Sequence, residues 1–446
     1  MLYRVIIGNY KSFAEEVQFD MFPNLKRENF NNHVYMGGPI PVLKECAIYG
    51  ANGAGKSNFI KAMAFLKDFA TNENSMRDKE WLKSWYLKNR YKLPVIDENM
   101  PINLLVEFSV EDRAYLYVVE VDVEGVKTEN LYLSGLGKGP NIAILERNRN
   151  KIEFKATIVG EEVKKIFERQ LAVNPAVSIL ALNGTLHLTE DPSMEDAYNW
   201  MRDGLDIVEV NRQIPWLIDQ LKKHSQVMDF VNTIFSKIGL GIASLEIKDE
   251  NFDTWVENAT REDKEVLNNI FTPNTPVGVG QSVSKRGIDV PVLEITEEKG
   301  KRMVREFIFS QMGKGGYTGM MDVTTQSTGT LRLLTLVPAL YYAIYSDKTV
   351  MVDEIDNGIH PMLMKKLVKY FGQSQSQGQL IFTTHETPLL NQQELLRADE
   401  VWLVEKVEGC TKMYSLNDFK IHKTLSIENG YMEGRFGAIP FIGTFD

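Results

Sequence analysis

Cysteine is scarce: Cys46 and Cys410 are the only two in a chain of 446 residues. Two thiols cannot build a disulfide framework, and no Cys/His metal-ligand spacing appears. Long apolar runs are also missing. No stretch reaches the ~18 apolar residues of a membrane span. Residues 1–11 lack the long apolar core and small-residue cleavage site of an export leader, so a cytoplasmic protein is expected. Excess positive charge is absent. The net charge of −10 argues against a surface coated for non-specific nucleic-acid binding. Glutamine is missing between Gln18 and Gln170, an absence that matters below. What remains is ordinary for a globular chain, with 43% hydrophobic and 25% charged residues. One large or two ordinary domains are expected.

The most informative stretch is residues 49–58, Tyr-Gly-Ala-Asn-Gly-Ala-Gly-Lys-Ser-Asn. Gly50, Gly53, Gly55, Lys56 and Ser57 fit the phosphate-loop pattern G-x-x-x-x-G-K-[ST] without mismatch. Residues 42–49 before it read as a buried strand, and residues 58–66 after it carry apolar side chains at helical spacing. In that context Asn52, Gly53, Ala54 and Gly55 turn backbone N–H groups toward phosphate oxygens, aided by the helix N-terminus. Lys56 is expected to reach the β- and γ-phosphates. Ser57 is expected to hold Mg²⁺, and Asn58 to complete the nucleotide contact.

Along the chain, residues 2–7 and 17–22 suit a pair of strands, with Lys11 and Ser12 in the loop between them as candidate nucleotide contacts. Residues 102–110, 114–123 and 126–133 read as an antiparallel meander, which residues 143–158 extend. Residues 161–172, and apolar positions from Ile214 to Phe235, follow helical spacing. Residues 272–286 and 313–319 read as loops, and 291–297 with 303–309 as a hairpin. From residue 323 onward, strands alternate with helices, implying a largely parallel sheet with ligands at its carboxyl ends.

Three further constellations stand in that last part. Asp353 and Glu354 end an apolar strand. Asp353 would hold Mg²⁺, and Glu354 would orient and polarise the attacking water. His385 ends the next strand, as a γ-phosphate sensor. Ser327-Thr328-Gly329-Thr330 opens an apolar helix and forms a second anion site at its N-terminus.

Taken in this order, the pieces resemble the ABC-type ATPases of the SMC, RecF and OLD group. Residues 9–13 look like that group's first-strand motif, and Ser327–Thr330 like its signature in the smaller members. Residues 353–361, Asp-Glu-Ile-Asp-Asn-Gly-Ile-His-Pro, look like Walker B followed by a D-loop of Asp356 and Asn357. His385 is similar to the switch histidine. The tail at 430–440 resembles the end of abortive-infection ATPases of the RloA and AbiL kind, which are encoded beside a toxin or nuclease partner. The resemblance implies an α/β fold: an ABC-ATPase head with a mainly parallel P-loop sheet, an antiparallel β lobe and a helical insertion. Its implied division is a first head half at 1–135, an insertion at 136–290 serving as a partner or dimer surface, and a second head half with the tail at 291–446. It further implies an ATPase using ATP and Mg²⁺, with Glu354 and His385 catalytic. Two copies would sandwich ATP, each Ser327–Thr330 segment acting on the other's nucleotide. The compact head, acidic balance and tail favour a defence switch controlling a separately encoded effector. The alternative is a RecF-like repair ATPase acting directly on DNA, which calls for a basic stripe. The glutamine gap departs from the group's pattern, leaving Asn103 or Glu107 to stand in for the usual Mg²⁺-contacting glutamine.

Overall fold

The computed structural model describes residues 1–72, 78–93, 99–155, 160–189, 191–210, 217–258, 282–285, 288–291, 293–391, 395–421 and 426–439. The chain divides into two compact units. The first comprises residues 1–207, 342–355 and 365–446, and the second residues 208–341 and 356–364.

The first unit holds two sheets. One is antiparallel, in the order Lys151–Phe154, Ile142–Asn148, Gly125–Leu133, Arg113–Asp122, Ile102–Val110, Leu2–Gly8, Val17–Asp20. Period-two patterning drives it: Tyr115, Tyr117, Val119 and Val121 alternate onto the buried face of one strand. The meander read from sequence is present, with turns at the expected breaks. A buried ion network anchors this sheet. The Glu129 carboxylate accepts from Arg147 at 3.0 Å, from the Tyr117 hydroxyl at 3.0 Å and from Ser178 at 2.7 Å. It also accepts the N–H groups of Ile179 and Leu180, the first turn of helix Ile179–Leu186. A carboxylate at a helix N-terminus satisfies donors that the helix itself cannot.

The second sheet of this unit runs Leu205–Val208, Thr349–Val352, Gln379–Thr384, Glu45–Gly50, Val401–Val407, Cys410–Ser415. The four strands from Thr349–Val352 to Val401–Val407 are mutually parallel, and Cys410–Ser415 returns antiparallel as a hairpin. Glu45–Gly50, Thr349–Val352 and Gln379–Thr384 are buried along their whole length. That is the signature of central strands covered on both faces, and it explains their near-continuous apolar runs. The α/β class and the mainly parallel P-loop sheet are as the sequence implied.

The second unit contains helices Leu217–Lys223 and Ser225–Lys237, whose buried faces (Leu217, Ile218, Leu221, Val227, Phe230, Val231, Ile234, Phe235) match the helical spacing. It adds a sheet centred on Lys301–Met312, paired antiparallel with Ile242–Asn251 on one side. The hairpin with Leu293–Glu298 lies on the other, as expected. Two loop assignments need correction. Thr318–Asp322 is a strand, not part of a loop at 313–319. The reason is geometric: Leu293–Glu298 pairs only as far as Glu306, leaving the edge of Ile308–Met312 open, and Thr318–Asp322 fills it. Within the expected loop at 272–286, Ser282–Lys285 is a strand paired with Ile288–Pro291. The rest of that stretch lies outside the described residues.

The foot of the P-loop strand holds a buried carboxyl. Glu45 is 1% exposed, and its carboxylate lies 3.9 Å from the His33 imidazole. Glu400 is fully buried nearby, 2.9 Å from the same His33 nitrogen. Burial, reinforced by the Glu400 charge, pushes the Glu45 carboxyl well above the usual carboxylate range. A raised folded-state pKa means this group's contribution is fully present below about pH 4.5 and is lost as pH rises toward the folded value. Glu45→Gln, neutral at every pH, should therefore flatten that dependence. Thermal melts taken as pH rises above the usual carboxylate range should show wild type losing more stability than the variant. Parallel melting curves for the two proteins would show that Glu45 does not titrate in this way.

Candidate nucleotide site

The parallel register sets the site. Val352 lies opposite Phe382, two residues before that neighbouring strand ends, which sets Asp353 beside Thr383, and Thr384 lies opposite Tyr49. Asp353, His385 and the glycine loop therefore emerge on one side of the sheet, where ligands of open α/β sheets bind. The loop occupies residues 51–55, and helix Lys56–Thr71 follows at once.

Glycine is needed here for two separate reasons. A Cβ at Gly50 would lie 2.1 Å from the Val404 carbonyl oxygen of the adjacent strand. Gly55 has φ of +124°, and a Cβ there would meet the Thr411 side chain at 2.3 Å. Asn52 and Gly53 are exposed at the loop tip, whereas Ala54 and Gly55 are buried. Lys56 is 7% exposed and donates from Nζ to the Gly50 carbonyl at 2.6 Å and the Ala51 carbonyl at 3.2 Å. The ammonium thus lies against the loop that it is expected to serve.

Asp353 is the junction of the site. Its Oδ1 accepts from the Ser57 hydroxyl at 3.1 Å and from the Thr383 hydroxyl at 2.7 Å. Thr383 Oγ1 in turn accepts the Glu354 N–H at 2.7 Å. Glu354 sits just beyond its strand, with φ of +45°, a conformation that non-glycine residues adopt rarely. Ser57 and Asp353, expected together at a metal, are brought together. A hydroxyl and a carboxylate are hard oxygen donors and fit Mg²⁺. His385 follows Gln379–Thr384 and is exposed.

Ser12 and Asn58 also meet: Asn58 Nδ2 donates to Ser12 Oγ at 2.8 Å. Thr411 Oγ1 lies 2.7 Å from both Ser12 Oγ and the Ala54 carbonyl oxygen. Lys11 has φ of +50°, and its ammonium stands 5.7 Å from the Tyr10 ring centroid. Partial burial, with Lys61, Lys88 and Lys92 nearby, holds its pKa below the usual lysine range. Asn103 and Glu107 are engaged within the antiparallel sheet. Asn103 donates to Glu16 at 2.6 Å, and Glu107 faces Arg4 at 3.6 Å while accepting from Ser134.

The signature residues lie in the second unit. Ser327 Oγ accepts the Thr330 N–H at 3.2 Å and lies 2.9 Å from its hydroxyl, capping helix Thr328–Tyr345. A Cβ at Gly329 would sit 2.7 Å from the Gly358 carbonyl oxygen. Glycine here permits close packing of the signature turn on the stretch holding Asp356 and Asn357. Sequence reasoning missed two residues of the first unit, Thr383 and Thr411. Thr383 stood inside a strand read only for its apolar run. Thr411 lies far along the chain with no motif to mark it.

A glycine loop between a buried strand and a helix, facing a carboxylate that holds the loop's serine, defines a P-loop nucleotide-binding protein. The sequence profile described as "AAA domain, putative AbiEii toxin, Type IV TA system" matches residues 46–182 and 227–391, more than half of the chain, and the protein belongs to that family. It is therefore an ATP-binding P-loop protein of the ATPase class. No curated protein matches the chain. Among solved structures it is similar to an SMC head bound to the C-winged helix domain of ScpA, at 14% identity and TM-score 0.46, covering 96% of this chain and 99% of that one. It is also similar to the SMC head domain from Thermotoga maritima, at 12% identity and TM-score 0.38 over 93% and 98%. An Smc head with an extended coiled coil, bound to the C-terminal domain of ScpA and derived from Pyrococcus furiosus, gives 12% and 0.41 over 98% and 99%. No helix among the described residues is long and apolar enough to cross a membrane.

Thr383→Val tests the missed junction. It keeps the strand's shape and removes the hydroxyl shared by Asp353 and Glu354, leaving a buried acceptor short of a partner. Mg²⁺-dependent ATP affinity, read by titration calorimetry, should fall several-fold, and the melting temperature should drop by a few degrees. Wild-type affinity in this variant would remove Thr383 from the site.

Proposed function

We propose that this chain is an ATP-hydrolysing switch that closes as a pair around ATP and controls a separate effector in abortive-infection defence. The observation that carries hydrolysis is the Ser57–Asp353–Thr383–Glu354 array at the carboxyl ends of the parallel strands. Lys56 would draw the γ-phosphate, with Asn52, Gly53, Ala54, Gly55 and Asn58 lining the nucleotide and Lys11 and Ser12 at its flank. Ser57 and Asp353 would hold Mg²⁺, which when bound neutralises charge on the β- and γ-oxygens. Glu354 orients and polarises the attacking water. Its strained backbone, fixed by Thr383, holds the carboxylate in one place. His385 senses the γ-phosphate.

Signature residues Ser327, Thr328, Gly329 and Thr330 act on the partner copy's nucleotide, aided by Asp356 and Asn357. A capped helix N-terminus offers backbone N–H groups to an anion. Hydrolysis removes that anion's terminal group and releases the pair. The defence role is supported by the family's description as a putative toxin of a toxin–antitoxin system, together with the RloA- and AbiL-like tail. The partner is then an effector protein, the setting the cytoplasm, and direct action on DNA is not required.

Glu354→Gln separates binding from chemistry. The amide keeps the shape and loses the charge that polarises water. Turnover should fall ~10²-fold or more, and ATP should accumulate a larger species by sedimentation. Unchanged turnover would assign the work to another base.

A further inference from the structure

Among the described residues, the second unit leaves one strand edge open. Strand Thr318–Asp322 is exposed throughout and pairs on one side with Ile308–Met312. Among the described residues no strand pairs its other side. Tyr317 is 80% exposed, Met320 76% and Met312 59%. Met312 lies opposite Thr318, and Met320 opposite Ser310, so both methionines stand on one face of the hairpin. Soluble proteins blunt such edges with lysine, proline, bulges or covering segments. Thr318, Gly319, Met320 and Met321 offer none of the side-chain devices.

An open row of backbone groups calls for another strand. The ends of this one differ in charge: Lys314 lies in the turn before it, and Asp322 closes it. Two copies running antiparallel bring each Lys314 end beside the other's Asp322 end, whereas parallel copies would bring like ends together. We propose that Thr318–Asp322 pairs antiparallel with the same strand of a second copy of this chain, centred on Met320. Such a contact is isologous and closes on itself. It goes beyond the proposed ATP-driven pairing because it needs no nucleotide. It is also tied to the signature. The Asp322 carboxylate accepts the N–H groups of Thr324 and Thr325 at 2.8 and 3.2 Å, and Gln311 donates to Gln326 at 3.2 Å, immediately before Ser327. With both contacts made, two different two-fold interfaces in one chain build a tetramer or a longer array rather than a closed pair.

Cross-linking tests this on the full chain without nucleotide. In a Cys410→Ser background, Met320→Cys should form a covalent dimer under mild oxidation. Opposed residues of antiparallel strands lie about 4.5–5.5 Å apart at Cα, within disulfide range. Met312→Cys, one strand further from the edge, should not. Met320→Lys should shift the nucleotide-free protein toward monomer in sedimentation velocity, while Glu354→Gln,Met320→Lys still associates with ATP. A wild-type protein that is monomeric without nucleotide, with no Met320→Cys cross-link, overturns the proposal and leaves the ATP-driven reading intact. A cross-link with unaltered ATP response supports it whatever becomes of that reading.

Discussion

One carboxylate holds the candidate site in shape. Asp353 stands between two strands and a loop, receiving Ser57 from the helix start and Thr383 from the neighbouring strand. Its buried position makes each of those hydrogen bonds costly to lose, since a buried acceptor left without a donor carries its full desolvation penalty. The parallel register makes the junction possible, because Thr349–Val352 ends opposite Phe382 and so sets Asp353 beside Thr383. Thr383 then passes the constraint on to the Glu354 backbone. The carboxylate proposed as catalytic, in a rare backbone conformation, is thus fixed at its backbone by Thr383, which touches no nucleotide in the proposed mechanism.

A second connection runs from the loop to the antiparallel sheet. Ser12 follows the first strand of that sheet, and its hydroxyl meets both Asn58 and Thr411. Thr411 also reaches the loop carbonyl of Ala54. Movement of the phosphate loop is therefore felt at the start of the seven-stranded sheet through hydroxyl and amide contacts. No glutamine lies between Gln18 and Gln170 to make such a link. Asn103 and Glu107 are held by Glu16, Arg4 and Ser134 within the sheet. Ser12, in the loop between the first two strands of that sheet, does reach the residues that flank the phosphate loop.

Much of this was legible in the sequence wherever pattern and chemistry coincide. The phosphate loop announces itself because backbone geometry there admits few residues besides glycine. Central strands announced themselves because burial on both faces demands continuous apolar runs. Thr383 and Thr411 were not legible, since a threonine in a strand is ordinary and its partner is set by tertiary packing. Strand Thr318–Asp322 was missed for a related reason. Gly313, Gly315, Gly316 and Gly319 read as a loop, while the open edge that recruits the strand exists only once Lys301–Met312 outruns its first partner. Glu45 opens an otherwise largely apolar strand, and nothing local signals that it is buried beside another carboxylate.

The central claim is that a signature segment in one copy completes the nucleotide site of another. Mixing Lys56→Ala with Gly329→Gln tests it most directly, with ATP turnover as the readout. Each variant alone should be inactive, Lys56→Ala for want of the phosphate cation and Gly329→Gln for want of room at Gly358. In a mixed pair, one composite site carries both lesions and the other carries neither, so turnover should return on mixing. A mixture as inactive as its components, with both variants folded and associating, would place Ser327–Thr330 in service of its own copy's nucleotide and contradict the shared site.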